Sequence, residues 1–131
     1  MSISSIGFSL LYISILMVAI DSVFLFSIRS FFSKQIMDVQ GEPLKVNYYS
    51  AFLCYLLLVF ALYHFIIAPR RSLFDAFLLG FIIYGVYETT TKALLKKWNW
   101  ITVFVDTLWG GILFTLTTYL TCLLYTSPSP R

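Results

Sequence analysis

The stretch from Tyr48 to Ala68, YYSAFLCYLLLVFALYHFIIA, contains no residue that carries a formal charge at pH 7, and it decides the fold class. A helix that crosses the hydrocarbon core of a bilayer needs about 20 consecutive, mainly apolar residues. Within that core each backbone N–H and C=O must find its partner inside the segment, which favours a helix. The stretch therefore predicts a membrane-spanning helix that ends before Pro69.

Three further runs have the same length and apolar character: residues 3–28, 73–95 and 101–121. Together the four runs predict an all-α polytopic membrane protein, a four-helix transmembrane bundle that forms a single domain over residues 1–121. The segment 29–47 between the first two runs mixes basic and aromatic residues. It either continues the first helix or lies on the membrane surface.

The composition also places the chain in lipid rather than in water. Of the 131 residues, 60% are hydrophobic and 11% are charged, whereas a soluble domain has about 45–50% apolar and about 25% charged residues. A short chain cannot bury so much apolar surface in one small core. The net charge of +3 is small and its basic residues lie scattered in short loops, which excludes a nucleic-acid binder. The predicted partner is the lipid bilayer.

The last ten residues, CLLYTSPSPR at positions 122–131, match the translation of a transposase sequencing-adapter string at every position. We expect them to be a non-native, adapter-encoded tail, and such a segment is excluded from reasoning about the fold. The alternative is an ordinary short polar tail after the last helix. The fourth predicted helix reaches Thr121 without these residues, and the natural C-terminus is not given by the sequence.

Basic residues in the loops predict the orientation in the membrane. We name the face that holds the N-terminus side A and the opposite face side B. Side B carries most of the basic loop residues: Arg29, Lys34, Lys45, Lys92, Lys96 and Lys97. Side A carries Arg70 and Arg71. Because cytoplasmic loops are enriched in Lys and Arg, side B is expected to face the cytoplasm, and both termini the other compartment.

Three acidic residues lie well inside predicted spans, Asp21, Glu88 and Asp106, while Asp75 stands at the entrance of the third span. The helices alternate in direction, so each acid lies nearer side B, roughly 8–11 Å below a helix end at about 1.5 Å rise per residue. A charge at a helix centre costs about 2.5–3.5 kcal/mol on insertion scales. We therefore expect the acids to face the bundle interior and to be neutralised by a proton, a cation or a basic partner such as Lys92, which shares a helix face with Glu88.

Polar and aromatic neighbours follow the same helix faces as the acids. Tyr84, Tyr87 and Thr91 flank Glu88 at helical spacing, and Trp109 follows Asp106 by three residues. The candidate ligand-binding or ion-binding set is therefore Asp21, Glu88, Asp106, Tyr84, Tyr87, Trp109, Thr91 and Lys92. Glycines at positions 80, 85, 110 and 111 allow two of the helices to approach closely.

The sequence gives no positive sign of catalysis, of a metal site or of a cofactor. Cys54 stands alone in an apolar run, and neither cysteine belongs to a zinc-binding spacing. The single His64 is more often a packed or interfacial residue than a metal ligand. No nucleophile–base pair and no phosphate-binding loop is found. We expect no catalytic residue, no metal and no cofactor.

The second half of the chain carries a family resemblance. The run YGVYETTTKALLKKW at 84–98, followed by VDTLWG at 105–110, is similar to paired motifs of domain-of-unknown-function family two-one-seven-seven, and DSVFL at 21–25 matches its first-helix motif. The resemblance implies a four-helix membrane protein with the same three acidic positions, and it supplies no established activity. The chain has Glu88, Thr91 and Phe24 where the family pattern has Asp, Asn and Trp.

Three functions are left open by these residues. The acids could bind or pass a proton, a cation or a small ligand, and a homo-oligomer is then expected because four helices are few for a transporter. Alternatively, the chain is a structural or partner-binding membrane component in which the acids only pack helices. A membrane-embedded enzyme that acts on a lipid-like substrate has the least support.

Overall fold

The computed structural model describes residues 3–126, with side chains for residues 4–123, and within this part the chain folds into helices joined by short turns. The helices are α1 (Ile3–Ser27), α2 (Arg29–Gln40), α3 (Tyr48–Leu62), α4 (Leu73–Leu94) and α5 (Trp100–Thr126), and a π-helical turn at Tyr63–Ile67 extends α3. Four of these helices are long and apolar enough to cross a membrane: Ser4–Ser27, Tyr48–Ile67, Leu73–Leu94 and Trp100–Leu123. The predicted all-α, four-helix membrane architecture is confirmed.

Two of the membrane-spanning helices start at side chains that accept hydrogen bonds from backbone N–H groups. Asn47 Oδ1 accepts from the backbone N–H of Ser50 at 3.1 Å at the start of α3. Ser72 Oγ accepts from the backbone N–H of Asp75 at 3.1 Å at the start of α4. Each contact satisfies one of the N–H groups that a first helical turn leaves unpaired. The spans therefore begin within the polar loops, as their sequence suggests.

The segment after α1 is a separate short helix. Ile28 breaks the helical backbone for one residue, and α2 then runs to Gln40. Gly41 ends α2 in the left-handed conformation, with φ of 76°, and its N–H donates to the carbonyl of Met37 at 2.8 Å. Glycine adopts this conformation without the steric cost that a side chain would add.

The helix α2 is held against the side B end of the bundle by one buried amide. Gln35 is 5% exposed. Its Oε1 accepts from the backbone N–H of Asn99 at 2.8 Å and from the hydroxyl of Thr102 at 2.9 Å. The ring of Phe32 also packs edge-on against Trp98, with ring centroids 6.2 Å apart. The segment 29–40 therefore covers the start of α5.

The central helix of the bundle is α5, which packs closely on α4 and also on α1, while α3 packs mainly on α1. The buried apolar core is formed by Ile13, Met17, Leu58, Val59, Leu62, Ile66, Ala76, Leu113 and Phe114. The lipid-facing surface of α3 is large: Tyr48, Tyr49 and Leu57 are between 68% and 87% exposed. The third helix is thus bound to the bundle along one face only.

Three glycines bring α4 and α5 together: Gly80, Gly110 and Gly111. A methyl group built on Gly80 would overlap the backbone carbonyl of Gly110 and would lie 2.8 Å from Cγ of Phe114. A methyl group on Gly111 would lie 2.5 Å from the ring of Phe77. Small residues at such crossings allow the two backbones to touch, which is how helices pack in lipid.

The predicted adapter-encoded tail begins inside α5. Residues 122–126 continue that helix, and residues 127–131 lie outside the described residues. The expectation that positions 122–131 are non-native stays a prediction.

Replacement of Gly80 by alanine should weaken the contact between α4 and α5. The added methyl group meets a backbone carbonyl, which cannot move aside as a side chain can, and overpacking of this kind costs roughly 1–3 kcal/mol. The measurement is the unfolding midpoint of the purified protein as a mild detergent is replaced by SDS. The matched control is Gly7→Ala, because no heavy atom lies within 4 Å of that position. Equal midpoints for the two variants would contradict the packing described.

Candidate functional site

We define the carboxylate cluster as Asp21 of α1, Glu88 of α4 and Asp106 of α5. The three side chains line one cleft of about 540 Å³ at the side B end of the bundle. Glu88 is 1% exposed and Asp21 is 7% exposed, whereas Asp106 is half-buried. The structure therefore brings together in one cleft the three acids that lie inside the spans.

Asp21 joins three helices through its two carboxylate oxygens. The hydroxyl of Tyr55 on α3 donates to Oδ2. The indole Nε1 of Trp109 on α5 donates to Oδ1 at 2.7 Å. The ring of Phe24, one turn along α1, stacks on the Trp109 ring with centroids 4.3 Å apart and an interplanar angle of 6°. Asp21 is consequently satisfied by neutral donors and its indole partner is held in place by an aromatic ring.

Glu88 is satisfied by a donor from the loop that follows its own helix. The indole Nε1 of Trp98, a residue that is 3% exposed, donates to Oε1 at 2.8 Å. The nearby Lys92 does not neutralise Glu88: its Nζ donates to the carbonyl of Trp98 at 2.7 Å and to that of Lys96 at 3.3 Å. Lys92 therefore holds the loop at side B together. The partner of Glu88 is the indole of Trp98 and not the lysine that the sequence suggested.

Asp106 differs from the other two acids because its hydrogen-bond partner is another carboxyl group, that of Glu88. Its interactions within the described residues are with the carboxyl groups of Glu88 and Asp21. No indole, tyrosine hydroxyl or basic side chain in this part of the chain donates to it, while Asp21 and Glu88 have donors at hydrogen-bonding distance. Asp106 thus has a second acid, rather than a neutral donor, as its hydrogen-bond partner.

The other residues singled out by the sequence divide into two groups. Tyr84 and Tyr87 line the cleft together with the acids. Thr91 instead donates its hydroxyl to the backbone carbonyl of Tyr87 at 2.7 Å, and neither it nor Lys92 is among the residues that line the cleft. Trp109 contributes through Asp21 rather than through the wall of the cleft.

Three polar partners in this region were not singled out from the sequence: Tyr55, Trp98 and Gln35. A buried indole N–H or tyrosine hydroxyl normally finds an acceptor, so Trp98 and Tyr55 could have been considered as donors to buried acids. Their partners lie 10 and 34 residues away. The pairing depends on how the helices are rotated, which periodicity alone does not give. No local sequence signal marks Gln35.

The comparisons with known proteins identify a family and nothing more specific. The model of the family described as "Predicted membrane protein (DUF2177)" matches residues 6–123. No curated protein and no solved structure matches the chain. The match confirms the family resemblance seen in the acidic and aromatic motifs.

Removal of either donor to Asp21 should destabilise the bundle. Tyr55→Phe and Trp109→Phe each delete one hydrogen bond but keep an aromatic ring, so each should lower the free energy of unfolding by about 1–2 kcal/mol. The two losses should not be additive, because both donors serve one carboxyl group. The measurement is SDS-induced unfolding of the single and double variants. Tyr49→Phe, on the exposed face of α3, is the matched control and should leave the midpoint unchanged.

Proposed function

The chain belongs to the family of predicted membrane proteins described as DUF2177, and from this premise we propose that it binds a proton or a small cation at the carboxylate cluster. The observation that carries the proposal is an imbalance of charge. Three carboxyl groups line one cleft, and among the described residues the ion pairs are Lys34–Asp38 and Arg71–Asp75, both outside that cleft.

The energetics support uptake of positive charge. Three ionised carboxyl groups at membrane depth would cost roughly 7–10 kcal/mol on insertion scales. The total stability of a small domain is only about 5–15 kcal/mol. Neutral donors such as indole N–H groups reduce this cost but do not remove the negative charge. A proton or a cation in the cleft would offset the remaining repulsion between the carboxyl groups.

Asp106 is the residue to which we assign the binding role. Asp21 and Glu88 are engaged by Tyr55, Trp109 and Trp98, and their contacts hold helices together. Asp106 has no neutral donor of this kind, shares a hydrogen bond with the carboxyl group of Glu88, and borders open volume. Within the described residues no group of three or more His, Cys, Asp or Glu side chains is arranged to hold a metal ion. A proton or a singly charged cation needs only one carboxylate to balance its charge, so this ligand class fits best.

Passage of the ligand across the membrane is a further part of the proposal. The cleft lies at the side B end, where residues 27–32 of α1 and α2 form part of its wall. Four helices enclose little space, so transport would require a homo-oligomer. The excess of basic loop residues on side B supports a cleft that faces the cytoplasm.

The alternative function, a structural or partner-binding component, is favoured by the contacts of Asp21 and Glu88. These two acids connect α1, α3, α5 and the loop after α4 in the way that polar residues hold membrane helices together. Asp106 distinguishes the two functions, because its hydrogen-bond partner is another acid and it borders the cleft, where a ligand can reach it.

The variant Asp106→Asn should lose ligand binding without loss of stability. We expect the Tm of the purified wild-type protein to rise with the concentration of an added cation, and the Tm of the variant to stay constant. Its Tm without ligand should equal or exceed that of the wild type, because one repelling carboxyl group is removed. The measurement is Tm against Na⁺, K⁺ and methylammonium, together with dye-detected proton uptake into proteoliposomes.

Two comparison variants make this test specific. Asp38→Asn removes an exposed acid outside the cleft and should behave as the wild type. Asp21→Asn should lower the Tm, since its two donors then face a single amide oxygen. If no cation or proton response is seen in the wild type, or if Asp106→Asn keeps that response, the binding function is rejected and the structural alternative is favoured.

The orientation can be tested by labelling single cysteines in a bacterial host. In a background that lacks Cys54 and Cys122, Val46→Cys places a thiol on side B and Ala68→Cys places one on side A. Neither change alters the number of basic residues. A maleimide that does not cross membranes should label position 68 in intact spheroplasts and position 46 only after lysis. The opposite pattern would reverse the proposed orientation.

A further inference from the structure

A groove between α3 and α4 opens toward the surrounding lipid. It has a volume of about 780 Å³, and its walls come from residues 50–58 of α3 and from Ile83, Tyr84 and Tyr87 of α4. The groove exists because α3 packs mainly on α1 and leaves its other side uncovered. On its α3 wall, Leu53 is 55% exposed and Leu57 is 68% exposed. A bilayer would therefore be the medium at the mouth of the groove.

The depth of the groove corresponds to one leaflet. Ser50 lies two residues and Leu58 ten residues after the start of α3 at Tyr48. At about 1.5 Å rise per residue, the wall extends from roughly 3 Å to roughly 15 Å below the side B boundary. The hydrocarbon core is about 30 Å thick, so this range is half of the core. A single hydrocarbon chain from the side B leaflet has the matching length and environment.

The groove meets the cleft of the carboxylate cluster at shared residues. Tyr84, Tyr87 and Asp106 line both spaces. Asp106 lies six residues after the start of α5 at Trp100, which is roughly 9 Å below the side B boundary. Asp106 is therefore within reach of a group that enters sideways from the lipid as well as from the end of the bundle.

We propose that the groove between α3 and α4 binds a single-chain amphiphile whose head group, an alcohol or an ammonium, donates a hydrogen bond to Asp106. The argument is charge complementarity. A phosphate or carboxylate head group would lie beside Asp106, with Glu88 and Asp21 in the adjoining cleft, and would be repelled, whereas a head group that donates a hydrogen bond would be attracted to these acids. The apolar chain would lie along the leucines of α3. The proposal rests on the proposed function, since it names the class of ligand that the cluster takes.

The test uses the full-length protein in phosphatidylcholine nanodiscs, where no detergent can fill the groove. The probes are hexadecylamine, hexadecanol and hexadecanoate, which share a chain length and differ in head group, with methylammonium as the short cation. Native mass spectrometry measures the bound fraction, and Tm measures stabilisation. We expect the amine and the alcohol to bind at least tenfold more tightly than the carboxylate, and Asp106→Asn to remove this preference.

Variants of the groove separate the amphiphile from the small cation. Ala51→Phe fills the groove from α3 and should lower binding of the amine and the alcohol at least tenfold while the response to methylammonium persists. Cys54→Phe provides a second plug should the first variant fold poorly. Leu56→Phe, which adds a ring on the exposed face of α3 outside the groove, is the matched control and should bind as the wild type.

The outcomes distinguish the amphiphile site in the groove from the proposed function of the carboxylate cluster. Equal binding of carboxylate and amine, or unchanged binding in both plugged variants, overturns the groove as the amphiphile site. If methylammonium raises the Tm through Asp106 while no amphiphile binds, the groove proposal is overturned and the proposed function stands. If neither class of probe binds, both are overturned.

Discussion

Hydrocarbon cannot solvate a carboxyl group, and this constraint determines how the four spans are arranged at their side B ends. Asp21 is placed where α3 and α5 can each supply a donor, from Tyr55 and Trp109. Glu88 is placed where the loop folds back to supply the indole of Trp98. Because α3 packs along only one face, its bond to Asp21 is a principal polar link between that helix and the rest of the described bundle. The rotation of the helices therefore follows from the need to satisfy buried acids as much as from apolar packing.

The close crossing of α4 and α5 holds the carboxyl groups of these two helices in fixed positions. Contact between Gly80 and Gly110 leaves no room for a Cβ atom, so the two helices cannot slide or rotate without a clash. Glu88 lies about two turns from the first glycine and Asp106 one turn from the second, which keeps the two carboxyl groups on facing sides of the crossing. At the side B end, Gln35 attaches α2 to the start of α5 and completes the wall of the cleft.

The sequence predicts the membrane helices well because their signal is local: length, hydropathy and charged ends define a span without knowledge of its neighbours. The starts at Tyr48 and Leu73 coincide with the predicted ones, because the capping residues Asn47 and Ser72 stand directly before the apolar runs, whereas the helix ends differ by one to five residues. The same reasoning identifies the three acids as a group, because helix direction alone fixes their depth. It does not give their partners. A basic partner for Glu88 is the natural expectation from spacing, yet Lys92 reaches the loop carbonyls and an indole takes its place. Such pairings depend on helix rotation and loop path, which no periodicity encodes.

The different surroundings of the three acids bear on why the chain carries them. An acid kept only for packing gains stability from the donors that bind it, as Asp21 and Glu88 do through Trp109 and Trp98. Asp106 has two tyrosines beside it in the same cleft, yet within the described residues neither hydroxyl donates to it. A carboxyl group that faces two others repels them when it is ionised, so it weakens the bundle unless a proton or a ligand enters. Local conflicts of this kind are expected where function opposes stability. Asp106 is therefore the position to which the proposed binding function assigns its ligand.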